Sequence, residues 1–233
     1  MSSIFSFLYL VLSTCTLNIV SCTIGPSLAR VAVKTLTSIL FLGTGIIATK
    51  ESGNKASPYA KLMITGLILG LGGDVFLGLD YITPLCFVIG LILFALGHVF
   101  YLIAFFRITK FNWYNLIPTL IVMPAFFLLK SIPGLLAFNG LFLAVAIYGF
   151  ILTFMVGKSL SLQSWDKNKS RFVKLTITGS ILFAVSDIIL LFILFMPAAK
   201  SLANPLTVLN LSTYYIGQGL LALSLRDSGT LPC

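Results

Sequence analysis

The chain has 233 residues, of which 58% are hydrophobic and only 9% charged, and its net charge is +9. A soluble domain carries about 25% charged residues, so the composition excludes an ordinary soluble protein and indicates an integral membrane protein. The basic residues lie mainly in short loops between apolar runs, where they are a topology signal rather than a nucleic-acid-binding surface. We therefore expect membrane lipids as partners and no nucleic acid.

Eight apolar runs of roughly 17–25 residues follow one another, each long enough to cross a hydrocarbon core of ~30 Å. The runs are continuous rather than alternating, which predicts helices and not a membrane β-barrel. We predict an all-α, polytopic transmembrane bundle of eight helices that forms a single transmembrane domain over residues 1–233. The runs cover residues 4–24, 31–49, 59–79, 84–106, 114–130, 137–157, 172–195 and 205–225.

The first run has the length of a signal peptide, but no lysine or arginine precedes its apolar core. We expect it to be retained as a span. With eight spans, eleven lysines and arginines fall on the side of the two termini and four on the other side. Because positively charged loops stay in the cytosol, both termini are predicted to be cytosolic.

An internal repeat relates the two halves of the chain at a constant offset of 113 residues. The matched residues are Lys61, Thr65, Gly66, Asp74 and Tyr101, which recur as Lys174, Thr178, Gly179, Asp187 and Tyr214. We predict two parallel four-helix repeats, about residues 1–113 and 114–233. Duplicated membrane proteins place their sites at the interface between repeats.

Polar residues interrupt three of the apolar runs. Asp74 and Asp187 lie deep in the third and seventh runs, and the single histidine, His98, lies in the fourth. A charged group at such a depth is costly, so it normally faces the bundle interior and marks a functional site. Lys34, just inside the second run, has two interpretations: a lysine that extends to the membrane interface, or a cation for a lipid phosphate.

Three functions are compatible with these residues: a lipid hydrolase, a proton-coupled carrier that uses the buried carboxylates, and a non-catalytic scaffold. A metal site of Asp74, Asp187 and His98 is conceivable, but zinc hydrolases usually show several histidines. The four cysteines have no metal-binding or redox spacing, and no G-x-S-x-G motif for a serine nucleophile is present. We expect neither a metal nor another cofactor.

Four short motifs, in order along the chain, resemble the motif series of the YhhN-like lysoplasmalogenase family. They are Gly73-Asp74, Gly97-His98-x-x-Tyr101, Phe183-x-x-Ser186-Asp187 and Thr213-Tyr214-Tyr215-x-x-Gln218. The resemblance covers nearly the whole chain. It implies an endoplasmic reticulum enzyme that hydrolyses the vinyl ether bond of lysoplasmalogens to a fatty aldehyde and glycerophosphocholine or glycerophosphoethanolamine. One departure is Thr35, which follows Lys34 where the family pattern leads us to expect proline.

Vinyl ethers are cleaved by acid: the alkene carbon is protonated, and water then attacks the resulting oxocarbenium ion. This chemistry needs one protonated carboxylic acid and one carboxylate, as in glycosidases, which form a similar cation. Two carboxyl groups that share a low-dielectric site favour this division. We predict that Asp74 and Asp187 are the catalytic pair, without assigning the acid.

The resemblance also implies which side chains bind the lysophospholipid substrate. These are His98, Tyr101, Ser186, Tyr214, Tyr215, Gln218 and Lys34. Helix geometry places both aspartates roughly 20 Å from the predicted cytosolic surface, with His98 and Gln218 roughly 10 Å from it. We therefore expect a polar cavity that opens toward the cytosol and has the aspartates at its deep end. The sequence leaves the head-group preference and a homodimer open.

Overall fold

The computed structural model describes residues 28–53, 57–165 and 170–230. These residues contain seven long α-helices and no strand, which confirms the all-α prediction. The long helices are α1 (Leu28–Glu51), α2 (Pro58–Gly78), α3 (Pro84–Phe106), α4 (Ile117–Ser131), α5 (Phe142–Leu160), α6 (Arg171–Phe195) and α7 (Ala203–Ser224). Short helical segments cover Trp113–Leu116, Leu162–Trp165, Pro197–Leu202 and Leu225–Thr230.

Six helical stretches of the described chain are long and apolar enough to cross a membrane, judged by length and composition. They contain α1 to α6. Helix α7 has 22 residues but carries asparagine, serine, threonine, tyrosine and glutamine side chains, and it is not among the six. The chain is thus a membrane-type helical protein. The predicted first span lies outside the described residues, so the count of eight stays a prediction.

Prolines and glycines set several helix boundaries. Pro58 and Pro84 begin α2 and α3, the position where the missing amide hydrogen costs no helical hydrogen bond. Helix α5 begins at Phe142, later than the predicted residue 137. Asn139 and Gly140 precede it with φ angles of 47° and 87°, which a right-handed helix does not allow. Because of this local turn, the helix that corresponds to the sixth predicted run begins closer to the C-terminus than predicted.

The helices pack in a similar order in both halves. Helix α2 packs most extensively on α3, and α6 on α7, while α1 lies against α7 as α5 lies against α3. Each of these contacts in one half thus has a counterpart in the other half. This correspondence is compatible with the predicted repeat, which stays a prediction. In the α6–α7 pair, the carbonyl oxygen of Gly179 lies 3.0 Å from the position that a Cβ of Gly217 would take. Small residues of this kind let membrane helices approach closely.

Gly157 of α5 lies against the short helix before α4. Its carbonyl accepts a hydrogen bond of 3.4 Å from Nδ2 of Asn115, and a Cβ on Gly157 would overlap the Asn115 carbonyl. We expect Gly157→Ala to push these segments apart and to destabilise the protein by about 1–3 kcal/mol. A fall in the unfolding temperature in detergent would measure this. Gly149→Ala is the matched control on α5, because its Cβ meets the Met123 sulfur at an ordinary 3.5 Å. Equal unfolding temperatures for the two variants would contradict this packing.

Candidate functional site

Asp74 of α2 lies in a cluster formed with α1 and α7. The Ser38 hydroxyl donates to its Oδ2 at 2.6 Å, and the Tyr214 hydroxyl donates to the same oxygen at 2.7 Å. The Lys34 ammonium nitrogen lies 3.5 Å from Oδ1. Asp74 is only 2% exposed. Two hydroxyl donors and a cation are partners that stabilise an ionised carboxylate.

Lys34 points inward rather than to the membrane interface. Its side chain is 12% exposed and pairs with Asp74, so the interpretation as an interfacial lysine is wrong. Lys34 and Ser38 are four residues apart on α1 and therefore share a helix face, which brings both to Asp74. The Tyr215 hydroxyl lies 3.5 Å from the Lys34 carbonyl oxygen. Tyr215 thus contacts the backbone that carries the lysine.

Asp187 of α6 has different partners, which come from α3 and α5. The Tyr148 hydroxyl donates to its Oδ2 at 2.5 Å. Nε2 of His98 lies 3.5 Å from the same oxygen and 3.0 Å from the Tyr148 hydroxyl oxygen. His98 is 1% exposed. Asp187 therefore sits beside a tyrosine and a histidine, whereas Asp74 sits beside a lysine.

The two carboxylates line one cavity of about 50 Å³, which we call the shared cavity. Part of its wall is fixed by Asn210 of α7, whose Nδ2 donates to the backbone carbonyl and to Oγ of Ser186 at 2.7 and 3.0 Å. The lining residues are Lys34, Asp74, Leu77, Phe94, Ser186, Asp187, Leu190, Asn210, Leu211 and Tyr214. The structure thus brings together the two aspartates that the sequence analysis paired.

A second hydrogen-bonded set joins α3 to α7. The Tyr101 hydroxyl donates to Oε1 of Gln218 at 2.9 Å, and the Gln218 side chain also contacts the Tyr214 hydroxyl. Tyr214 therefore links Gln218 to Asp74. Tyr101 and Gln218 are each 1% exposed. Neither residue lines the shared cavity.

The predicted opening toward the cytosolic side is wrong for this structure. His98 and Gln218, expected to line it, are each 1% exposed. The ring of Phe183 packs at this level, 4.6 Å from the His98 ring centre. The shared cavity instead reaches Leu77 and Leu190, about one turn beyond each aspartate toward the opposite helix ends. Aromatic packing therefore occupies the level where sequence reasoning placed a polar entrance.

Sequence reasoning missed Ser38, Tyr148 and Asn210. Tyr148, in the sixth predicted run, bonds to Asp187. Ser38 had a weak signal, its spacing of four residues from Lys34. Tyr148 and Asn210 had none, since tyrosine and asparagine in a helix do not indicate which neighbour they face. No group of three or more histidine, cysteine, aspartate or glutamate side chains that could hold a metal ion occurs among residues 28–53, 57–165 and 170–230.

Apolar helices around two carboxylates that line one internal cavity define a multi-pass membrane-type protein with an internal polar site. The model of the YhhN family matches residues 29–225. The chain therefore belongs to the YhhN family, as its motifs indicated. Searches of curated proteins and of solved structures each gave no significant match.

Proposed function

We propose that this protein is a membrane hydrolase that cleaves the vinyl ether bond of lysoplasmalogens. Its products would be a fatty aldehyde and glycerophosphocholine or glycerophosphoethanolamine. The observation that carries the proposal is the pair of carboxylates, Asp74 and Asp187, which line one cavity in unlike surroundings. Membership of the YhhN family supports it.

Asp187 is the better candidate for the acid. The alkene carbon to be protonated carries the hydrocarbon chain, so the acid must lie beside an apolar space. Asp187 lines the shared cavity. Together with Tyr148 it also lines two further cavities, which are largely apolar. A protonated Asp187 would give its proton to this carbon. The electrons of the double bond form the new C–H bond and leave an oxocarbenium ion.

Asp74 is the better candidate for the carboxylate. Lys34, Ser38 and Tyr214 hold it in place, and its charge would stabilise the cation. Water would attack the oxocarbenium carbon and lose a proton to Asp74. The resulting hemiacetal breaks down to the aldehyde and a glycerol hydroxyl with no net change in protons. Transfer of the proton from Asp74 to Asp187 restores the enzyme.

The other predicted residues fall into two groups. Lys34 and Ser186, like Tyr214, line the shared cavity, and we infer that Lys34 and Ser186 would meet the polar part of the substrate. His98 and Tyr214 contact the aspartates and Tyr215 contacts the Lys34 backbone, so these three residues would act by positioning them. Tyr101 and Gln218 would support Tyr214, because Tyr101 bonds to Gln218 and Gln218 contacts the Tyr214 hydroxyl. We also propose, from the family resemblance and the charge distribution, an endoplasmic reticulum location with both termini in the cytosol.

The test is release of fatty aldehyde by the purified protein in detergent. Choline and ethanolamine lysoplasmalogens are supplied separately over a range of pH, and aldehyde and water-soluble glycerophosphodiester are both measured. Equal amounts of the two products are expected. An absence of aldehyde from both substrates at every pH, with a monodisperse protein, would overturn the proposed hydrolysis.

Tyr148→Phe tests how Asp187 is positioned. The change removes the 2.5 Å hydrogen bond to Asp187 and leaves the ring, so we expect a roughly 10–100-fold fall in kcat with little change in KM. Steady-state aldehyde release measures both constants. Tyr81→Phe is the control, because Tyr81 is 42% exposed in the turn after α2. An unchanged kcat for Tyr148→Phe would exclude a positioning role.

A proton-coupled transporter is the alternative, and one observation favours it. A continuous set of polar contacts runs from α1 through α2 and α7 to α3. It consists of Lys34, Asp74, Tyr214, Gln218 and Tyr101. Such sets relay protons in membrane carriers. Uptake of a lysolipid into liposomes driven by a proton gradient, without chemical conversion, would support this function over hydrolysis.

A further inference from the structure

We propose that an apolar groove between α4, α5 and α6 binds the single hydrocarbon chain of the lysolipid, with the reacting end of the chain at Asp187. The groove has a volume of about 360 Å³ and is called the chain groove here. The proposal rests on the proposed hydrolase function and adds to it the site that selects the lipid. Gly149 of α5 and Ala184 of α6 line its middle.

The walls of the chain groove suit hydrocarbon. Apart from Tyr148, Asp187 and Thr153, every lining residue is apolar. The Thr153 hydroxyl already donates to the Gly149 carbonyl at 2.8 Å, so it offers little to a polar ligand. A polar group placed along these walls would lack hydrogen-bond partners, which disfavours its burial there. Only the level of Tyr148 and Asp187 can receive a polar atom.

The volume of the chain groove fits one chain rather than two. A cavity of about 150 Å³ accommodates benzene, which has six carbon atoms. By that ratio, 360 Å³ holds roughly fourteen carbon atoms. The second apolar cavity beside Asp187 has only about 60 Å³. The groove therefore accommodates one hydrocarbon chain of about this length.

The chain groove is placed to be entered from the bilayer. Helix α4 packs on α5 and has no extensive contact with α6, so the two helices flank a gap. Ile121 of α4 and Ile188 of α6 line the groove and are 65% and 39% exposed. Pro124 interrupts the hydrogen bonding inside α4, which makes this helix easier to bend. A chain already in the bilayer can enter sideways without crossing water.

The geometry also orients the lipid. From the level of Asp187 and Tyr148 the groove extends in two directions, toward Pro118 and Val156 and toward Leu129 and Phe192. The shared cavity, which meets the groove at Asp187, contains Lys34. The hydrocarbon chain would therefore lie along α5, and the vinyl ether would lie at Asp187, where the chain groove and the shared cavity meet.

Photo-crosslinking tests the site without requiring turnover. The probe is a long-chain lysophosphatidylcholine with a saturated ether linkage, which the enzyme cannot cleave, and a diazirine near the chain end. We expect labelled peptides from α4 and α5, either around Val122 and Val156 or around Leu129 and Val145. Labelling confined to other helices would overturn the chain groove.

Gly149→Leu fills the middle of the chain groove. We expect roughly tenfold or greater losses of groove labelling and of aldehyde release from a long-chain substrate, as for a change of a few methylenes in an apolar pocket. Ala144→Leu is the matched control, because Ala144 is exposed on α5 and does not line the groove. Unchanged labelling in a folded Gly149→Leu variant would overturn the proposal. If the wild type is labelled in the groove but releases no aldehyde, the lipid site stands and the proposed reaction fails.

Discussion

Asp187→Asn is expected to lower aldehyde release by at least about 100-fold, because general acid catalysis contributes about 10²–10⁴-fold. Asparagine has nearly the same shape, and its carbonyl oxygen can still accept the hydrogen bond from Tyr148. It has no acidic proton to give to the alkene carbon. The bundle should therefore stay folded while the reaction is lost. Aldehyde release and the unfolding temperature, measured on the same preparation, check both parts.

Asp80→Asn is the matched control, because Asp80 is an exposed carboxylate in the turn after α2. We expect it to leave activity and unfolding temperature unchanged. A folded Asp187→Asn variant that kept more than about a tenth of the wild-type rate would show that Asp187 is not the acid. If Asp74→Asn removed activity and Asp187→Asn did not, the roles of the two aspartates would have to be exchanged.

The parts of the fold that depend on composition were predictable. Continuous apolar runs predicted helices, and the described residues are helical with no strand. The convergence of Asp74 and Asp187 was also predictable, since a charged group in an apolar helix has to face the interior. The start of α5 was not, because the turn at Asn139 and Gly140 lies within an otherwise apolar run.

The partners across helices could not be predicted. Whether Lys34 extends to the interface or pairs with Asp74 depends on how α1 is rotated against α2, which the spacing along one helix does not fix. The contact of Tyr148 with Asp187 likewise depends on the packing of α5 on α6. The chain groove depends on the gap between α4 and α6, to which no local sequence pattern corresponds. The predicted opening failed for the same reason, since the packing of the Phe183 ring against His98 is also a contact between helices.

Lys34→Met is expected to destabilise the protein by about 3–5 kcal/mol, the usual cost of removing one partner of a buried ion pair. Methionine keeps much of the apolar length of lysine, so the change mainly removes the charge 3.5 Å from Asp74. Asp74 would then be a carboxylate of 2% exposure without a cation. The double variant Lys34→Met/Asp74→Asn removes both charges and should recover most of the lost stability. Unfolding in detergent of the wild type, both single variants and the double variant gives the coupling energy between the two residues.

Lys50→Met is the control for loss of a lysine from α1, because Lys50 is exposed at the end of that helix. It should change the unfolding temperature little. If Lys34 extended to the membrane interface, Lys34→Met would behave like this control and the coupling energy would be near zero. A large coupling energy would show that the ion pair stabilises the fold. A double variant that is stable but inactive would show that the charged pair is also required for the reaction. Recovery of both stability and activity in the double variant would instead show that Asp74 acts only as the partner of Lys34.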